Sequence, residues 1–163
     1  MSMMRDVQKS KVYRWEDALP LRGSKISRRK CSYARCVELI DEACALYHVP
    51  MISVFRGDAE QEFAAYNTFA SKRYIEIPPI FQRHDVALHE AAHYIVDMYW
   101  PEATDHGIVF VSVYMHLLHQ VLGMDYEEMA AWANYMKVKF SRRKNYAPES
   151  ARVNSSMFLD ADV

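Results

Sequence analysis

Apolar residues along this chain recur in changing rhythms, and each change marks an element. Over residues 31–47 the apolar positions Cys36, Val37, Leu39, Ile40, Ala43, Cys44 and Tyr47 follow a helical period, and Pro50 breaks it. Residues 51–55 are a short β-favouring run closed by Arg56-Gly57-Asp58. Residues 63–69 and 73–77, joined through Ser71-Lys72, read as a hairpin that Pro78-Pro79 ends. A long helix is predicted over 80–100, stopped by Pro101 and followed by a loop at 102–106. Residues 108–122 are rich in strand-favouring side chains, but their length and the Gly123 stop predict a buried helix. Asp125 caps a last helix, with Glu128 at the capping-box position, running to about Lys144.

The first thirty residues show no sustained period and read as an extended or partly ordered arm, anchored by Trp15 and Leu19. The expected organisation is therefore a basic arm at 1–30, one α+β domain at 31–146, and a tail at 147–163. Within that domain, a small and mainly antiparallel three-stranded sheet packs on helices.

Composition narrows the class. A chain of 163 residues, 51% hydrophobic and 25% charged, is long enough to bury one core without disulfides. No apolar run approaches the roughly 20 residues that span a bilayer, and the first residues lack the apolar stretch of a secretory signal. Three cysteines, Cys31, Cys36 and Cys44, cannot all pair; free, mostly buried thiols and a cytoplasmic setting are expected. The net charge of −1 conceals an asymmetry, with nine Lys/Arg against three acids in residues 1–30 and six against three in 137–163. Solvated ends are the ordinary meaning of that pattern, and nucleic-acid contact through the basic ends is the alternative.

The chemistry lies in the long helix. His89-Glu90-Ala91-Ala92-His93 places two imidazoles at i and i+4, on one face, where both can grip one metal ion. Glu90, between them, stands beside a water that the metal polarises and can take its proton. No cysteine lies near to close a four-ligand structural site. The third ligand is expected to be His106: the helix runs about 10 Å past His93, and six more residues span up to about 20 Å, enough to turn at Pro101 and return. Asp97 and Glu102 are the alternatives, and Asp105 either orients an imidazole or is an exposed loop acid. His116 and His119, at i and i+3, read as a polar stripe before a second metal pair, and His48 as a helix C-terminal residue.

The assembled pattern, His89-Glu90-x-x-His93, twelve residues, then His106-Gly107-x-x-Phe110, resembles the minimal zincin metalloproteases of the SprT type, across roughly residues 31–122. The resemblance implies a zincin-like domain with one zinc ion per chain held by His89, His93 and His106, and Glu90 as general base. It implies a metalloprotease acting on a protein or peptide substrate. It also places the substrate-binding edge strand at Tyr74, Ile75 and Glu76, where an extended peptide pairs through its backbone. SprT-type proteins often carry a cysteine zinc ribbon after the protease domain, and this chain has none. Beside the enzyme stands a second reading from another class, a catalytically inactive zincin-like module that binds peptide or protein. For the oxyanion of the reaction, Tyr66, Tyr74, Tyr94 and Tyr114 are all conceivable partners.

Overall fold

The computed structural model describes residues 6–19 and 29–142. Its elements run α1 (Lys9–Ala18), α2 (Tyr33–Leu46), β1 (Ser53–Phe55), β2 (Ala65–Phe69), β3 (Lys72–Glu76), α3 (His84–Tyr99), α4 (Ile108–Leu122) and α5 (Tyr126–Tyr135). The class is α+β, as expected. The predicted tail at 147–163 lies outside the described residues, as do Arg5, Arg22, Lys25, Arg28, Arg143, Lys144 and Arg152 of the basic ends. No helix among the described residues is long and apolar enough to cross a membrane.

Local chemistry accounts for the helix ends. Ser32 caps α2 by accepting from the Arg35 N–H at 3.1 Å. The stripe Cys36, Leu39, Ile40, Ala43 and Cys44 is buried, and His48 takes a left-handed φ of 53° just past the helix. Gly123, at φ 67°, ends α4 with Gly123 N bonded to His119 O and Met124 N to Leu118 O. Asp125 caps α5 as predicted, accepting from Glu128 N at 2.8 Å. That helix stops at Tyr135, short of the predicted Lys144, and Lys137 then takes a left-handed φ of 57°. The long helix begins at His84, because Pro79–Phe81 forms a separate 3₁₀ turn and Arg83 is extended.

Helix α3 is the centre of the molecule, packed between α2 and α4 on its helical flanks and against the sheet. Ala87, Leu88, Ala91, Ala92 and Ile95 are fully buried there. The small alanines let neighbouring elements approach closely, and α4 buries Phe110, Val111, Val113, Met115, Leu117 and Leu118 against them.

The sheet departs from expectation in two ways. Its order is β1-β3-β2, with β2 antiparallel and β1 parallel to β3, so it is mixed rather than mainly antiparallel. The hairpin itself is present, turning at Ala70 and Ser71 with φ 47° and 66°, the two left-handed residues of a tight two-residue turn. The second departure is a correction. Tyr74, Ile75 and Glu76 lie on the central strand, paired with Ser53, Val54 and Phe55 on one side and with Asn67, Tyr66 and Ala65 on the other. They cannot be a free edge, because β1 returns parallel to β3 and covers it. The edge that meets α3 is β2.

The N-terminal segment is also different from an extended arm. Residues 9–18 form a helix whose Val12 and Trp15 are fully buried, with Leu19 just beyond at 6% exposure. The anchors Trp15 and Leu19 are as expected, and the Trp15 indole donates to Met129 O at 3.2 Å. The Gln8 side chain clamps residue 139, donating to Lys139 O and accepting from Lys139 N at 3.2 and 2.9 Å. Residues 6–19 are thus part of the core, and a domain boundary at residue 30 does not separate them from it. The thiols of Cys31 and Cys36 stand 3.4 Å apart, and all three cysteines are free.

Candidate metal centre

His89 and His93 project from one face of α3 by helical spacing alone, with their Nε2 atoms 3.1 Å apart. His106 arrives from the turn before α4, closed by Gly107 N bonding Thr104 O at 2.9 Å. Gly107 is needed there for closeness: a Cβ would stand 3.0 Å from Thr104 Oγ1 and 3.1 Å from Thr104 O. The three imidazoles converge, their ligand atoms all within 4.8 Å of one another, in a buried group that can hold a metal ion. A tetrahedral zinc ion with bonds of about 2.0–2.1 Å sets its nitrogens about 3.3 Å apart. One pair already stands near that spacing. His106 Nε2 is buried with no hydrogen-bond partner among the described residues, which is the orphan that a metal would satisfy.

The other ring nitrogens are held by helix α1 and the residues before it. Glu16 Oε1 accepts from His89 Nδ1 at 2.6 Å, and Asp6 Oδ2 accepts from His106 Nδ1 at 2.7 Å. A carboxylate can only accept, so each imidazole carries its proton on Nδ1 and turns Nε2 to the centre. Phe110 packs on all three imidazoles, with ring centroids 4.9, 4.3 and 5.0 Å from His89, His93 and His106. This apolar wall explains the phenylalanine of the His-Gly-x-x-Phe pattern.

Electrostatics follow from burial and these partners. Burial pulls the His89 imidazole down, but Glu16, with Glu90 and Asp85, raises it above its ordinary value. Burial, with His89 and His106 as neighbours, holds His93 well below the ordinary value. His106 is lowered by burial despite Asp6. Neutral imidazole is the form that binds metal.

Glu90 is buried at 7% exposure, and Tyr66 N, on the free side of β2, donates to its Oε2 at 2.7 Å. Burial raises the Glu90 carboxyl above its usual range, against the lowering effects of His89 and the Tyr66 N–H. The Tyr66 hydroxyl donates to Asp97 Oδ2 at 2.7 Å, and Arg73 Nε reaches the same oxygen at 2.7 Å. Asp97 is therefore committed to tying β2 to α3 and is not drawn into the histidine cluster. Glu102 and Asp105 are exposed, and Asp6 takes the orienting part on His106. His116 Nδ1 bonds the Tyr47 hydroxyl, and His119 Nδ1 donates to Met124 O. His84 bonds Arg29 O.

Two clefts flank the centre along β2. One, of about 390 Å³, is lined by Tyr13, Phe63, Ala64, His89 and Glu90. The other, of about 260 Å³, is lined by Tyr66, Thr68, His93 and Asp97. Ala64, just before that strand, and Tyr66 and Thr68 on it reach from one cleft to the other.

Asp6, Tyr13 and Glu16 are the site residues that sequence reasoning missed. A signal was present: Val12, Trp15 and Leu19 repeat at helical spacing, and Lys9, Tyr13 and Glu16 repeat on the neighbouring face. The chain matches no protein-family model, no curated protein and no solved structure.

Proposed function

We propose that this chain is a zinc metallopeptidase of the SprT-like zincin type, with one zinc ion held by His89, His93 and His106. The observation that carries the reading is a juxtaposition. Three converging imidazoles, the buried Glu90 and the free side of strand β2 meet at one point, between two clefts. Imidazole ligands suit zinc, and three protein ligands with a side open to a cleft fit a catalytic rather than a structural site.

When bound, zinc supplies Lewis acidity to a water molecule and to a peptide carbonyl. The protein's own residues do the rest. The free side of β2 pairs with an extended peptide backbone and holds it across both clefts, with little demand on side chains. Glu90 takes the proton of the attacking water on a carboxylate oxygen and returns it to the leaving amide nitrogen. Glu16 and Asp6 keep His89 and His106 in the tautomer and orientation that present Nε2. Phe110 and the surrounding core keep water from the back of the ligands.

Elemental analysis of the purified full chain, beside a casein digestion assay, tests the reading. The wild type is expected to carry about one zinc per chain and to cleave casein, with cleavage lost to a chelator and restored by zinc. His106→Ala should lose both metal and cleavage. Absence of zinc from the wild type after zinc is supplied, or zinc without hydrolysis, overturns it; the second result leaves a metal-holding module that binds peptide without turnover.

A further expectation follows from α1. Glu16→Ala leaves the His89 Nδ1–H without its carboxylate and should weaken zinc binding about 10–100-fold, read by competition with a chromogenic chelator. An unchanged affinity would show that the Glu16–His89 bond does not tune the site.

A further inference from the structure

Peptide hydrolysis moves negative charge onto the carbonyl oxygen, and a hydrogen-bond donor placed there typically contributes about 10²–10³ in rate. The four tyrosines conceivable from sequence are engaged elsewhere. The Tyr66 hydroxyl donates to Asp97 at 2.7 Å, that of Tyr94 to Pro50 O at 2.9 Å, and that of the buried Tyr114 to Asp85 O at 3.2 Å. Tyr74 packs edge-on to the exposed Phe55, on the opposite face of the sheet from the buried Ile75.

Tyr13 is placed differently. Its ring stacks on His89, 9° from parallel with centroids 5.8 Å apart, and lies 5.2 Å from the ring of His106. It lines the same cleft as His89 and Glu90, together with Phe63 and Ala64 just before β2. Its residue is 41% exposed, and its hydroxyl makes no hydrogen bond among the described residues. On α1 it stands one turn before Glu16, the residue that orients His89, and Lys9 covers its ring at 5.9 Å. The helix that fixes the ligands therefore also carries a phenol to the mouth of the cleft, with its hydroxyl uncommitted.

We propose that Tyr13 is a catalytic residue of the peptidase read above: its hydroxyl donates to the carbonyl oxygen of the scissile bond as that oxygen gains charge. The inference rests on the metallopeptidase reading.

The test compares wild type, Tyr13→Phe and Glu90→Gln as zinc-loaded full chains, on one peptide that the wild type cleaves. Tyr13→Phe keeps the ring that packs on the histidines and removes only the donor. The expected result is a fall in kcat of about 10²–10³ with KM within a few-fold and zinc affinity unchanged. A phosphinic analogue of the cleaved peptide, whose oxygens imitate the charged carbonyl, should bind the variant more weakly by a similar factor. If Tyr13→Phe keeps the wild-type kcat while Glu90→Gln is dead, the Tyr13 assignment fails and the peptidase reading stands. Loss of zinc or of fold in Tyr13→Phe makes Tyr13 a structural wall and overturns the assignment equally. A zinc-loaded wild type that cleaves no peptide or protein overturns the peptidase reading and the Tyr13 role together.

Discussion

Glu90→Gln should keep about one zinc per chain and lose hydrolysis by about 10²–10⁴-fold, the usual contribution of a positioned general base. The metal should stay because Glu90 lies outside the group of three ligating histidines. The local structure should stay because glutamine retains an oxygen where Glu90 Oε2 accepts the Tyr66 N–H at 2.7 Å, so β2 remains tied to α3. What the amide cannot do is take a proton from water and hand it on. Stability should not fall either. Burial raises the Glu90 pKa, which means the fold disfavours its charged form, and a neutral side chain of the same shape relieves that cost. The measurement pairs metal content and thermal melting with turnover on a peptide substrate. Wild-type turnover in a variant that is folded and metal-loaded would remove Glu90 from the mechanism.

Trp15→Ala carries the second large effect, of about 3–5 kcal/mol of folding stability. Trp15 is fully buried, stands edge-on to Tyr114 with centroids 6.1 Å apart, and donates its indole N–H to Met129 O. Truncation leaves a cavity, and the Met129 carbonyl loses a partner. For a domain of this size such a loss lowers the melting temperature by on the order of 10 °C. The same substitution should weaken zinc binding, because α1 docks through Trp15 and carries Tyr13 and Glu16 over the centre. Urea denaturation gives the first quantity and chelator competition the second. A variant that is destabilised yet binds zinc with wild-type affinity would show that α1 docks independently of this side chain. Adding zinc should raise the melting temperature of the wild type, since a ligand of the folded state stabilises it by mass action.

How much of this was legible beforehand depended on the range of the interaction. The helical stripe of α2, the Gly123 stop, the Asp125 cap and the hairpin arise from residues within a turn or two of one another, and all were readable. So was the pairing of His89 with His93, since a helix places i and i+4 together wherever it occurs. The arrival of His106 could be expected from chain reach and a glycine, and the fold brings it there. The end of α5 was misjudged because Lys137 adopts a left-handed turn that its side chain does not announce.

The amino-acid sequence by itself determined the α+β class, most element positions, the three histidines and the glutamate among them, because helical period, turn chemistry and caps act locally. Tertiary structure alone decided which strand is the edge, since a hairpin pattern does not say on which side β1 will pair, and β3 became the centre. It alone brought Glu16 to His89 and Asp6 to His106, across 73 and 100 residues of chain. Those partners meet because the apolar face of α1 is buried in the core, and burial of that face turns its polar side onto the histidines.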